Sequence, residues 1–488
     1  MSSTARVAPG GAGGPEPPPG PSDGPSPDQP SFASGARILS IGIASTGIFT
    51  FAYLAISSHV LGKAAYSRIS LCWAIMFVIL SVIYRPIEQL LSRTIADRRA
   101  RGLRSHSLRV PASIQLGFAL VFLVVALALR HPIEHGMFNG SSDLYWILVV
   151  GVLAYAGSYF ARGWLAGNQK FALYGGLVFL ESTSRFLFPL AVAVGIGSGQ
   201  GVVGLGMAVA PFASLSVMPF AFSRVRAGAT RDSANAASAE APVLDAATEG
   251  GPAAAQLEQD NTELSLRRGA GFAVSVVGIM FSEQMLMNAG VLIVAASSGG
   301  NLTSGLTGFV FNVMLIVRAP LQLFQAVQTS ILPHLAGLEA RESAEEFHHA
   351  IRTTVLVIAA FGAAVAIGLL AIGPPVMTIL LGDKGFQYGR VGLAIVGLGM
   401  GLHLISGTLN QAALARGRAR IAAGSWLVAA ALFVAFVALP TIHSEVTRVE
   451  VGYFGATAVL TTLLFLVYRR GPLRGSPAQP PSAAAAMR

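Results

Sequence analysis

The chain has 488 residues, of which 53% are hydrophobic and only 11% are charged. Soluble domains carry about 25% charged residues, so this composition excludes a water-soluble globular protein over most of the length. The net charge of +10 is not accompanied by an RNA- or DNA-binding pattern, so we attribute it to membrane topology and anionic lipid headgroups rather than to nucleic acid.

The N-terminal segment 1–34 is rich in Pro, Gly and Ser and nearly uncharged, a composition that predicts disorder. It lacks the basic start of a signal peptide, and the apolar run that follows is too long for one. We expect 1–34 and the C-terminal segment 471–488 to be disordered cytoplasmic tails.

Between these tails lie twelve apolar stretches, each long enough to cross about 30 Å of hydrocarbon. They lack the alternation of barrel strands and therefore predict helices. The predicted fold class is an all-α polytopic membrane protein. The twelve expected spans are 37–57, 69–91, 110–129, 144–162, 171–192, 201–223, 269–297, 305–330, 351–373, 389–412, 422–440 and 450–468.

The orientation follows from the 33 lysines and arginines. Most of them fall at the termini or in loops after even-numbered spans, and few fall in loops after odd-numbered spans. Since positive charge stays on the cytoplasmic side, we expect both termini in the cytoplasm. Lysine is scarce beside arginine, as in GC-rich bacterial genomes, so the expected location is the bacterial cytoplasmic (inner) membrane.

A polar, acidic, Ala-rich stretch at 224–268 predicts a flexible cytoplasmic linker. It separates an N-terminal six-helix lobe, 35–223, from a C-terminal six-helix lobe, 269–470. Because each lobe holds an even number of helices, both enter the membrane in the same orientation. The sequence therefore predicts a parallel repeat, with a pseudo-two-fold axis along the membrane normal.

Two arginines occupy matching places in the two halves. Arg85 and Gln89 lie in SVIYRPIEQLLS (81–92), and Arg318 and Gln322 recur with the same spacing in MLIVRAPLQLFQ (314–325). A guanidinium at mid-membrane depth costs at least about 3 kcal/mol, so it normally faces a cavity or a partner. The repeat predicts a polar cavity inside a duplicated transporter.

Four segments resemble bacterial polysaccharide flippases: GARILSIG (35–42), SSHVLGKAAYSRISL (57–71), FARGWLAGNQKFALYGG (160–176) and RAPLQLFQAVQTSILPHLAGLEAR (318–341). By this resemblance the chain is identified as a member of the multidrug/oligosaccharidyl-lipid/polysaccharide (MOP) exporter superfamily, on its O-antigen-type oligosaccharide-lipid flippase branch. The lipid II flippases of that superfamily carry two additional helices, which this chain lacks.

The resemblance implies a MATE-like, V-shaped bundle of two lobes with a central cavity lined by helices one, two, seven and eight. It also implies a flippase that moves polyprenyl-diphosphate-linked oligosaccharide across the membrane by alternating access. Expected partners are that lipid-linked glycan, membrane lipids and other polysaccharide-assembly proteins, and we expect a monomer.

A diphosphate needs fixed cations in a low-dielectric site, and arginine forks match its oxygens. Arg85 and Arg318 are therefore the candidate diphosphate-binding residues. Gln89, Gln322 and Gln325 are candidates for glycan contact or cavity lining. Arg318, Gln322 and Gln325 share one helix face at i, i+4, i+7 spacing. The alternative is that these side chains only bind neighbouring helices or reach towards the interface.

The acidic residues have competing interpretations. Glu88 follows Arg85 by three positions and is expected to neutralise it along the helix. Glu283 has no local cation, so it either pairs with Arg85 or Arg318, binds a coupling H⁺ or Na⁺, or is structural. Glu181 and Arg185 predict a structural i, i+4 pair, and His403 predicts a satisfied core histidine.

Three function classes were weighed. The alternative to the flippase is a cation-coupled multidrug exporter of the same superfamily, which favours acidic cavity residues. An enzyme ranks third, because no catalytic residues are evident. HPIEH (131–135) matches a zinc-protease pattern, but Pro132 interrupts it, so no metal site or cofactor is expected. The single cysteine, Cys72, rules out an intrachain disulfide.

Overall fold

The computed structural model describes residues 32–100, 108–219, 252–298, 302–321, 324, 344–383 and 385–470. In these ranges the chain forms helices and no strands. Nearly all of the predicted tail 1–34, the whole of 471–488 and most of the predicted linker lie outside the described residues.

The N-terminal lobe contains six long helices. The second, α2, has two α-helical parts, Lys63–Ile79 and Arg85–Ala100, joined by a π-helical turn at Leu80–Tyr84. A short π-helical segment, Pro132–Met137, follows α3. The other helices are α1 (Phe32–Val60), α3 (Arg109–Ala128), α4 (Ser142–Gly167), α5 (Phe171–Ala193) and α6 (Gly199–Leu215).

The C-terminal lobe repeats this plan. A short 3₁₀ turn, Leu302–Ser304, precedes its second helix. The helices are α7 (Pro252–Ser297), α8 (Leu306–Leu321), α9 (Ala344–Leu381), α10 (Arg390–Ala415), α11 (Ala419–Ala438) and α12 (Glu445–Arg469).

Each of the twelve predicted spans overlaps one of these helices, although residues 220–223 of the sixth span and most of 322–330 in the eighth lie outside the described residues. Among the described residues, nine helices are long and apolar enough to cross a membrane, and α6 and α8 are shorter apolar helices. One boundary differs clearly: α7 begins at Pro252, inside the stretch predicted as linker. That stretch, PAAAQLEQDNTEL, is rich in Ala, Leu, Gln and Glu, which are strong helix formers.

The two lobes show the same packing pattern. In the first, α1 packs on α5, α5 on α6, and α4 on α6. The second has the corresponding pairs, with α7 on α11, α11 on α12, and α10 on α12. The predicted parallel repeat is therefore present in the helix arrangement.

Pairs of facing glycines allow two helices in each lobe to approach each other closely. A Cβ atom added at Gly42 in α1 would lie 2.8 Å from the Cα atom of Gly175 in α5. In the other lobe, a Cβ at Gly362 in α9 would lie 2.8 Å from the Cα of Gly401 in α10. Close backbone approach through small residues is the usual basis of helix association in membranes.

The lobes are joined at the end of the bundle where α1 connects to α2 and α9 connects to α10. Tyr66 donates a hydrogen bond to Asn312 Oδ1, and Asn312 Nδ2 donates to the Tyr388 hydroxyl at 3.2 Å. The backbone N–H of Gly308 donates to Ser67 Oγ at 3.1 Å. Ser58 also donates to the Leu381 carbonyl. We call these residues the clasp.

Candidate functional site

A cavity of about 360 Å³ lies between the lobes. Helices α1, α2, α7 and α8 line it, as the resemblance implies, and α4 and α5 contribute as well. Its charged lining residues are Arg85, Glu88, Arg162, Glu181, Arg185 and Arg318. Both repeated arginines therefore face the same space.

Helix α2 supplies one wall of the cavity through residues four positions apart. A four-residue step overshoots one turn of an α-helix by about 40°, so such a stripe drifts off one face. The π-helical turn contains about one more residue than an α-helical turn, and this corrects most of the angular displacement. As a result, one wall contains Trp73, Phe77, Ser81, Arg85 and Gln89.

The local sequence accounts for the π-helical turn. The backbone N–H of Arg85 bonds to the Leu80 carbonyl, five residues earlier. The next residue, Pro86, has no N–H to offer and crowds the preceding turn. Because a proline commonly disturbs the helical ladder in this way, we assign the turn to Pro86.

Arg318 is held by neutral groups. Its Nη2 donates to the Met287 carbonyl at 3.1 Å and to Asn288 Oδ1 at 2.5 Å. The guanidinium carbon lies 4.4 Å from the centre of the Phe311 ring, and Nε has no partner among the described residues. No described carboxylate lies within 4.0 Å of it. The residue is only 8% exposed, so a buried cation faces the cavity without a counterion in the part of the chain that the structure describes.

Arg85 also forms no close ion pair with a described residue, although the carboxylates of Glu88 and Glu283 are near enough to interact with its charge. Among the described residues, no hydrogen-bond acceptor or carboxylate lies within bonding distance of its guanidinium. The sequence predicts that Glu88 neutralises it, and the two charges do interact, but the hydrogen bond of Glu88 is with another residue. Tyr174, which reaches across from α5, donates its hydroxyl to Glu88 Oε1 at 2.7 Å.

The other two cavity arginines share one carboxylate. Glu181 accepts from Arg185 at 2.9 Å, as the i, i+4 spacing predicts, and it also pairs with Arg162. Ser158 donates to Glu181 at 3.0 Å, and Arg185 donates to the Tyr155 hydroxyl at 2.5 Å. The role of Arg162 was missed because the predicted span ended at that residue, whereas α4 continues to Gly167.

The cavity lining thus carries four arginines and two glutamates. Three of the arginines also stack over aromatic rings. The guanidinium carbon of Arg162 lies 4.7 Å from the centroid of the Tyr159 ring, and that of Arg185 lies 5.2 Å from the centroid of the Trp73 ring. Arg318 covers Phe311 as described. The arrangement leaves a net positive space suited to an anion.

The remaining candidates fall in different places. Gln89 lines the cavity, whereas Gln322 and Gln325 lie outside the described residues. Glu283, on α7, is not a lining residue and forms no hydrogen bond or salt bridge among the described residues, but its charge interacts with that of Arg85, one of the two partners that the sequence predicts. His403 is buried in the C-terminal lobe, with Nδ1 2.9 Å from the Tyr453 hydroxyl.

No family model matches the chain, and no curated protein matches it. Solved structures do. An outward-facing multidrug resistance MATE family transporter of the MOP superfamily superposes with a TM-score of 0.60 and 14% identity, covering 90% of this chain and 95% of that one. The inward-facing conformation of such a transporter gives 0.59 and 11%, covering 88% and 97%.

The Vibrio cholerae MATE transporter VcmN in its bent form gives a TM-score of 0.52 and 15% identity, covering 90% of this chain and 97% of that one. The chain has the fold of MATE transporters. The MATE fold confirms the predicted all-α, two-lobed architecture. Together with the apolar helices, it identifies a multi-pass membrane protein.

Proposed function

We propose that the protein is a transporter that flips a polyprenyl-diphosphate-linked oligosaccharide across the cytoplasmic membrane by alternating access. One observation carries this proposal: Arg85 and Arg318 line a cavity between the lobes, and neither forms a salt bridge with a described carboxylate. A buried cation without a counterion is costly, and an anionic substrate removes that cost when it binds.

The diphosphate is the group that suits these arginines. It is compact, carries several oxygens, and accepts paired hydrogen bonds from a planar guanidinium. Arg318 already has Nη2 engaged by neutral acceptors, while Nε has no partner among the described residues. The substrate's phosphate oxygens would supply the missing acceptors.

The glycan would contact the wall formed by α1, α2 and α5. There Gln89 and Ser81 offer hydrogen bonds to sugar hydroxyls, and Phe51 and Phe77 are half-buried rings at the cavity surface. A wall of amides, hydroxyls and aromatic faces matches a ligand that is polar at its edges and less polar on its ring faces.

A cation-coupled multidrug exporter is the second candidate, because the similar structures include transporters described as multidrug resistance proteins. Drug cations bind aromatic faces and acidic groups. In this cavity Arg162, Arg185 and Arg318 already cover such faces, which favours the flippase. In neither candidate does the protein act as an enzyme.

For energy coupling we propose Glu283 as the site of H⁺ or Na⁺. Its carboxylate lies on α7 beside the cavity helices and forms no salt bridge among the described residues, and the charge it interacts with is that of Arg85; without a close partner it is open to a cation. Glu283→Gln should remove the dependence of transport on pH or Na⁺. A dependence that persists in this variant would place coupling elsewhere.

Binding of farnesyl diphosphate to the purified protein tests the diphosphate site. Arg318→Ala should weaken binding about 10- to 100-fold, since a hydrogen-bonded charged group is lost. Arg318→Lys should be intermediate, because an ammonium keeps the charge but not the fork.

Arg130→Ala is the matched control, because Arg130 is half-exposed outside the cavity and pairs with Glu134 at 3.1 Å. Equal affinity in the wild type and all three variants would refute the diphosphate role. Failure of the wild type to bind, together with tight binding of a cationic dye such as ethidium, would favour the exporter.

A further inference from the structure

Asn288 is the side chain that fixes the orientation of Arg318. Its Nδ2 donates to the side-chain Oε1 and the backbone carbonyl of Gln284, each at 3.1 Å. Because both acceptors require an N–H donor, these contacts identify the amide nitrogen of Asn288, and the remaining atom, Oδ1, must point to Arg318. Asn288 is 2% exposed and lines the cavity with Gln284.

The contact orients the guanidinium without neutralising it. An amide oxygen and a carboxylate oxygen occupy almost the same position, yet only the carboxylate cancels the charge of its partner. A carboxylate at position 288 would turn this hydrogen bond into a buried ion pair. The site would then lose the positive charge that an anion requires.

We propose that Asn288 is a specificity-determining residue that makes this face of the cavity select diphosphate-type anions over neutral or cationic molecules. The inference rests on the proposed function and adds a second residue to it. Asn288 acts through Arg318, as a positioning residue whose lack of charge matters as much as its hydrogen bond.

A purely structural role for Asn288 predicts a different behaviour. If the side chain only tied α7 to α8, Asn288→Asp would keep the contact, strengthen it, and leave diphosphate binding intact. Under the proposal, the same variant keeps the contact with Arg318 but loses the anion, because the new carboxylate neutralises the guanidinium. A loss of diphosphate binding in a variant that remains folded is a result that a structural role does not produce.

The experiment measures farnesyl diphosphate affinity and thermal midpoint for the full-length protein in detergent. Asn288→Asp should bind at least about tenfold more weakly and still unfold in a cooperative thermal transition. Gln284→Glu is the matched control: it adds the same charge to the same cavity and keeps an acceptor for Asn288 Nδ2, but has no direct contact with Arg318. We expect it to lose only about threefold.

The outcomes separate the two claims. Unchanged affinity in Asn288→Asp, with normal binding by the wild type, overturns the role of Asn288 and leaves the proposed function standing. Equal losses in Asn288→Asp and Gln284→Glu also overturn it, because cavity charge alone would then explain the result. No binding by the wild type overturns the proposed function and this inference together. Should Asn288→Asp not fold, Asn288→Glu brings a carboxylate to the same guanidinium.

Discussion

Glu181 compensates the charge of two arginines that are buried inside the N-terminal lobe. It accepts from Arg162 on α4 and from Arg185 on its own helix, with Ser158 as a third donor. All of these groups are largely removed from water. Breaking a buried ion pair by removing one partner is far more damaging than replacing the whole pair, since an uncompensated charge remains.

Glu181→Gln should therefore destabilise the protein by about 3–5 kcal/mol, seen as a clear fall of the thermal midpoint in detergent. Glu134→Gln is the control, because its partner Arg130 is 50% exposed and exposed ion pairs contribute little. A midpoint for Glu181→Gln that matches the control would show that Glu181 does not hold the two arginines in place.

Individual residues of the site differ in whether the sequence alone could predict them. Arg85 and Arg318 could be predicted because charges are rare in apolar spans and these two recur at one spacing. Asn288 could not, since a neutral amide in an apolar run is tolerated more easily and carries no pattern. Local spacing predicts the interaction of Glu88 with Arg85 but not its hydrogen bond from Tyr174, because spacing within one helix does not reveal contacts with a helix distant in sequence.

At the scale of the element, α2 shows how one proline positions a wall of side chains. All twelve helices could be predicted from apolar length, yet the π-helical turn at Leu80–Tyr84 could not. It occupies five residues, too few to change the period of a helical pattern. Its effect is to keep Arg85 on the same face as Trp73 and Phe77.

Pro86→Ala should restore the missing backbone donor and let α2 become a regular helix. Without the extra residue in the turn, Arg85 would rotate by roughly 100° away from the cavity wall. We expect weaker farnesyl diphosphate binding together with an unchanged or higher thermal midpoint.

Pro189→Ala provides the control, since Pro189 lies inside α5 without a π-helical turn and outside the cavity lining. Its binding should match that of the wild type. If Pro86→Ala also binds farnesyl diphosphate like the wild type, the turn does not position Arg85.

At the scale of the whole molecule, the clasp joins the lobes at one end and the cavity lies between the clasp and the opposite end. Tyr66 and Asn312 are buried in the clasp, and Asn312 also donates to the Leu381 carbonyl at 3.3 Å. Under the proposed alternating access the lobes would separate at this end, and these hydrogen bonds would break once in every cycle.

A disulfide across the clasp should therefore block transport. In Ser67→Cys/Gly308→Cys, the new Cβ at position 308 would lie 3.1 Å from the Ser67 Oγ position, with the Tyr66 ring shifting slightly. Oxidation should abolish export of lipid-linked glycan in cells, and a reductant should restore it. The native Cys72 is buried and leaves a low background.

Ser406→Cys/Thr461→Cys is the control pair. The two hydroxyl oxygens are 2.9 Å apart and join helices α10 and α12 of the same lobe, so this cross-link should leave export intact. Full export from the oxidised Ser67→Cys/Gly308→Cys protein would contradict the opening of the clasp.

The most direct test of the central claim is the pool of undecaprenyl-diphosphate-linked sugars, with its leaflet sidedness, in membranes of cells lacking the gene. We predict a glycolipid that accumulates on the cytoplasmic side and is cleared by the intact gene but not by Arg318→Ala. Absence of any accumulation, together with new sensitivity to cationic drugs, would contradict the flippase and favour the exporter.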